Sequence, residues 1–379
     1  MRIWLACGAI FTFLLLVTWP RPVSSHETLT TTVLFDREIV QVLNRHCVMC
    51  HFDKGPSFPL ETYEQTWLRG RQIRASVIAR HMPMWPAVSG YGQFANDNGL
   101  TLRETQFVVS WVEGLGPRNG GTVFTNIVDA GATRNQDIRA EANFNEWKLG
   151  NPDIRIALPS TTVEARQTDS VTRVTMATGQ TAERRLRAIE YHPGDRRVTR
   201  AVFFTVQETG QWIGSWTPWY GFSSLPSGAA YRVPAGSHIA AEIHYRGAPE
   251  RVVDQGTLGL FFSDSARTAS VSDLTLTAKA SGVRRLRSEV RVDVDMDVLA
   301  LRPDMIPGMS SLEVSSRRPD GGTDVLLFAK DFRLDWPTPF ILKDSVSLRK
   351  GAILSVTVTM SPSAPLPASF RLTLNRVAH

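Results

Sequence analysis

The chain has 379 residues, 42% of them hydrophobic and 21% charged, with 22 prolines and 27 glycines. That composition excludes wholesale disorder, a collagen-like repeat and a polytopic membrane protein, and three cysteines are too few for a disulfide scaffold. The net charge is +6; setting aside Arg2 and Arg21 leaves +4 beyond residue 25, and the arginine pairs at 184–185, 196–197 and 317–318 are scattered as in solvated strand ends, which argues against a nucleic-acid stripe.

At the N-terminus Arg2 precedes an apolar run from Ile3 to Trp19, followed by Pro20, Pro22 and the small pair Ser24–Ser25. A positive start, an apolar centre and a small-residue exit make a secretory signal peptide over residues 1–25, cut ahead of His26. The run is also near the lower length limit for a membrane span, so an uncleaved anchor is the alternative. Cys7 leaves with the signal. In either case the remainder is expected to be periplasmic or secreted, with no membrane insertion once the signal is cut.

A short helix from about Asp36, with Ile39, Val42 and Leu43 as its apolar stripe, leads into Cys47-Val48-Met49-Cys50-His51. C-x-x-C-H is the attachment site of a c-type haem: two thiols on one helical turn form thioethers, and the adjacent histidine reaches the iron from the same side. A zinc site would need a second cysteine pair, and a redox disulfide would need a thioredoxin-like setting. Two further helices are expected, one over about Leu60 to Arg80, the other from Thr101. Glu104 lies three residues after Thr101, as in a capping box, and Gly114 and Pro117 close the helix. Three helices around one haem define a small all-α domain over residues 30–118.

The sixth iron ligand must come from the opposite side. His81-Met82-Pro83-Met84-Trp85-Pro86 holds the candidates, and its prolines impose an extended loop. Met82 is the ligand of choice, with Met84 and His81 as rivals; Met/His ligation raises the reduction potential.

Cys47 to His51, Pro59-Leu60-Glu61-Thr62-Tyr63, Met82-Pro83-Met84-Trp85, Asn96-Asp97 with Leu100-Thr101, and Trp111-Val112 occur in order. Together they resemble the cytochrome c domain that precedes copper type II, ascorbate-dependent monooxygenase domains in bacterial secreted proteins. That family usually reads Met-Pro-Pro-Trp, so Met84 is a departure.

A Gly/Thr/Asn-rich passage, residues 119–145, has no periodicity and is expected to be a linker. Beyond it the pattern is β. Val198–Val206 alternates, and further strand-like runs are Ile239–Tyr245, Leu258–Phe262, Glu289–Leu301, Val325–Phe328 and Ala352–Met360, separated by Gly/Pro/Asp turns. Two antiparallel sandwiches are expected, 146–265 and 266–379.

The resemblance continues here through Trp147 to Asp153, Tyr191 to Asp195, Leu225 to Gly228, Val233 to Gly236 and Ile243-His244-Tyr245, and it implies sandwiches of monooxygenase type. It also implies six copper ligands, of which one remains. Thr199-Arg200 replaces a His-His pair, His244 is kept, Asp304-Met305-Ile306 replaces a His-x-His pair, and no counterpart of the C-terminal methionine is found. A permanent guanidinium is ill suited to a cation site. His238, Glu242 and His244 alternate along one strand, too far apart for easy convergence on one ion. His46 and His192 are assigned surface or turn roles. Trp212, Trp216 and Trp219 with Tyr220 are assigned to packing at a sandwich end, with an aromatic cleft as the alternative.

The functional expectation is an exported electron-transfer protein with one covalent haem c on Cys47 and Cys50, iron held by His51 and Met82. No copper is expected. Its β module would be a docking or binding platform for a redox partner, such as a related subunit that retains copper. The alternatives are a haem-fed copper monooxygenase, or a haem-based sensor if Met82 is labile.

Overall fold

Thr62 and Thr101 set the starts of two helices, because each accepts from the amide three residues on while the glutamine or glutamate there returns the bond. A computed structural model of the chain describes residues 31–119, 146–265 and 267–379. The expected signal and nearly all of the expected linker lie outside the described residues.

A π-helical turn, Phe35–Ile39, runs into α1 (Val40–His46); then come α2 (Tyr63–Leu68), α3 (Gly70–Ile78) and α4 (Leu102–Glu113). The single helix expected over about Leu60 to Arg80 is therefore two. It begins only at the Thr62 cap and breaks at Arg69 (φ −103°, ψ 2°). At the break Gly70 comes close to α4: a Cβ there would lie 3.5 Å from Val112 Cγ2. Ile39, Leu43, Val48, Leu60, Val108 and Trp111 form the core of this helical region.

The rest is mainly antiparallel β-sheet in a sandwich-like arrangement around two further apolar clusters. In the first, the sheet Ser170–Ala177, His238–Tyr245, Thr199–Val206, Trp212–Trp216 shares a core with strands Ile154–Ala157, Thr257–Phe262, Arg184–His192 and Ala229–Val233. The second is enclosed by strands between Ala269 and Ala378. A two-residue parallel pairing of Ala229–Ala230 with Ala269–Ser270 joins the two β regions by hydrogen bonds. The single strand expected over Glu289–Leu301 is two, Arg285–Arg291 and Met296–Pro303. The chain turns between them, where the Asp295 carboxylate accepts from the Lys350 amide and the Arg349 guanidinium.

The proline-rich loop after α3 belongs structurally to the second β region. Its amides and carbonyls pair with two strand ends: Val88 N–H donates to Phe328 O, Lys330 N–H to Pro86 O, Ala95 N–H to Ile341 O and Lys343 N–H to Gln93 O. The buried Asn96 side chain donates to Pro339 O and accepts from Ile341 N–H. Trp85 packs beside Phe94 and Phe340, with ring centroids 5.8 and 5.6 Å away. No helix among the described residues is long and apolar enough to cross a membrane.

Candidate functional site

The C-x-x-C-H segment continues the helical winding of α1. The Cys50 and His51 amides both donate to Cys47 O at 3.0 Å, and the Val48 amide donates back to Leu43 O. This turn buries Val48 in the helical core and leaves Cys47, Cys50 and His51 half-buried along one cleft. Both thiols are free. Burial pushes Cys47 up to about 12, with Cys50 adding to the effect. Burial also raises Cys50, to about 11, against the opposing pull of Arg200 and Arg196. Neither is the low-pKa thiolate of a disulfide-exchange enzyme.

His51 Nδ1–H donates to Phe58 O at 2.8 Å, which fixes the ring and leaves Nε2 without a hydrogen-bond partner among the described residues. Burial lowers the His51 pKa, and the Phe58 bond opposes it. Phe58 also packs on the imidazole at 4.8 Å. The result is an oriented ring with a lone pair available to a metal.

Met82, Pro83 and Met84 line the same cleft, with Ile73, Val77 and Leu60 among its apolar walls; its cavity volume is about 60 Å³. Met82 and Met84 both reach the cleft, whereas His81 is exposed and lines a separate cavity with Arg80 and Trp336. Two thiols, an oriented imidazole, a thioether and an apolar slot suit covalent attachment and axial ligation of a haem.

His46 is corrected from a surface or turn residue to a buried link, only 8% exposed. Its Nδ1 meets Asn98 O at 3.1 Å and its Nε2 meets Glu104 at 3.3 Å. Glu104 thus caps α4, holds His46 and pairs with Arg45 at 2.7 Å. With both ring nitrogens engaged, His46 lines the cleft as structure. His192 stacks on Trp147 at 4.0 Å and meets Glu190 at 3.1 Å.

The β region also contributes to the cleft, and sequence reasoning missed this. Trp219, assigned to sandwich packing, lines the cleft and donates from Nε1 to Asn96 O at 3.1 Å. Trp212 and Trp216 are buried, and Trp216 belongs to the first β core. Arg196, expected at a solvated strand end, is half-buried and donates to Met49 O at 3.1 Å, inside the C-x-x-C-H turn. Four residues on, Arg200 is buried. The register slips between Thr199 and Ala201, so Arg200 is the extra residue of a β-bulge. Its guanidinium lies over the Trp336 ring at 4.8 Å.

His244 sits in another cleft with Glu242, Phe203, Arg302 and the segment Asp304-Met305-Ile306. His244 and the Asp304–Ile306 segment thus share a cleft that Thr199 and Arg200 do not line, and its polar groups are already paired. His244 Nε2 meets Glu242 at 3.1 Å, Arg173 pairs with Glu242 at 2.7 Å and Arg302 lies 3.5 Å from it. Asp304 is taken by Arg371 at 3.0 Å. These partners hold the Glu242 carboxyl down at about 2, the His244 bond being the largest cause. His238 does not line this cleft; it is exposed and bonded to Glu208. No group of three or more His, Cys, Asp or Glu suited to a metal ion occurs among the described residues.

No protein-family model matches the chain, and no curated protein does. Among solved structures, the major capsid protein P2 of bacteriophage PM2 is similar at 8% identity, over 58% of this chain and 97% of that one, with a TM-score of 0.26. The exported protein XepA of PBSX is similar at 9% identity, over 60% and 87%, with a TM-score of 0.20. The functional reading therefore rests on the side chains of the cleft.

Proposed function

We propose that the chain is an exported, periplasmic or secreted c-type cytochrome. One haem is attached through Cys47 and Cys50, with His51 and Met82 as axial ligands. The observation that carries this reading is that Cys47, Cys50 and His51 of the C-x-x-C-H turn and Met82 line one apolar cleft. The bound haem supplies a one-electron couple at iron. The chain's own residues do the rest: the Phe58 carbonyl holds the His51 tautomer, the apolar walls limit water, and hydrogen bonds from the second β region fix the Met82 loop.

The β region is proposed to be a docking platform that resembles a copper type II monooxygenase but has lost its metal sites. The pairing of His244, Glu242, Arg173 and Arg302 supports this, since a copper ion would have to displace existing bonds and sit beside arginines. Its partner is a redox protein, for which a related subunit that keeps its copper fits.

Metal analysis of the full chain, purified after export and challenged with copper, tests the reading. One iron per chain and no chelator-resistant copper is the expected result. Stoichiometric copper, with ascorbate-dependent oxygen uptake lost in His244→Ala, would establish the monooxygenase alternative instead.

A further inference from the structure

Arg200 is 4% exposed, and its Nε and Nη1 have no hydrogen-bond partner. A buried guanidinium stays charged and is costly without a counter-charge. The neighbouring acids are already engaged: Asp335 with Arg333 at 2.8 Å and Arg246 at 3.1 Å, and Asp169 with Arg246 at 3.4 Å. The positive charge of Arg200 is therefore left over, at the junction of the helical region and both β regions. It lies one aromatic layer behind the cleft wall: Arg200 covers Trp336, Trp336 lies 6.3 Å from Trp219, and Trp219 lines the cleft. Arg196, on the same stretch of chain, grips the Met49 carbonyl between the two cysteines.

We infer that Arg200 is a positioning residue through which the first β region sets the reduction potential of the haem site. The inference rests on the haem reading above. A fixed positive charge in a low-dielectric surround favours the iron state with one more electron, so it raises the potential. The β-bulge at Arg200 is then the device that turns this side chain out of its strand and toward the junction.

The test is the potential of the full-length haem protein, measured spectroelectrochemically for wild type, Arg200→Lys, Arg200→Gln and Arg200→Met. The methionine variant keeps an unbranched stem against Trp336 should the glutamine variant not accumulate. The expected result is a lower potential in the neutral variants, near-wild-type behaviour in Arg200→Lys, and an unchanged low-spin spectrum throughout. Equal potentials in all haem-loaded proteins would overturn the inference and leave the cytochrome reading intact. A wild-type chain without haem would overturn that reading and, with it, the inference.

Discussion

The cleft of Cys47, Cys50, His51 and Met82 and the cleft of His244, Glu242 and Arg302 use polar and sulfur-bearing side chains in opposite ways. In the first, each donor that matters has a spare valence: two free thiols, an imidazole Nε2 whose sister nitrogen is tied to Phe58, and a thioether on a pinned loop. In the second, the imidazole, both carboxylates and the arginines bind one another. A site built for a metal cofactor holds its ligands in place through their other atoms and leaves the ligating atoms unspent. On the proposed reading, the second cleft has closed its polar groups on themselves, and the sandwich is kept because its stability comes from the apolar faces between sheets.

The sharpest way to break this comparison is to remove the far ligand. Met82→Ala is expected to abolish the thioether-to-iron absorption band and open the iron to carbon monoxide, while Met84→Ala retains the band. The reverse pattern would transfer the ligand role to Met84. A smaller effect comes from the anchor of that loop. Trp85→Ala removes the ring packed on Phe94 and Phe340 and is expected to cost about 2–4 kcal/mol in denaturant unfolding of the β region. The same variant should weaken Met82 ligation. An unchanged midpoint would detach the loop from the β core.

The smallest effect belongs to the second cleft. Glu242 is held at about 2, below its ordinary 4.5, so its stabilising contribution is complete above about pH 4.5 and disappears as pH falls through about 2. Glu242→Gln is expected to lose about 1–2 kcal/mol at neutral pH and to converge with wild type near pH 2. A constant difference across that range would mean that the ion pairs contribute nothing.

Sequence and structure meet most closely where chemistry is local. The Thr101–Glu104 cap, the C-x-x-C-H turn, the proline-extended loop and the runs around Ile239–Tyr245 and Leu258–Phe262 each depend on neighbours a few residues away, and periodicity or spacing exposes them. What depends on distant partners was hidden. The burial of His46 answers to Glu104 and Asn98. The docking of the Met82 loop depends on strands about 240 residues away. Arg200 read as the reason copper could not bind. Its burial against Trp336 requires the bulge and the junction of three regions, and no spacing rule reports either.

The most direct test of the central claim is the intact mass of the full chain after export in a host that attaches haem, combined with alkylation of free thiols. The account predicts an increment of one haem, with both Cys47 and Cys50 protected from alkylation. An apoprotein mass with two alkylatable thiols in this turn would contradict it.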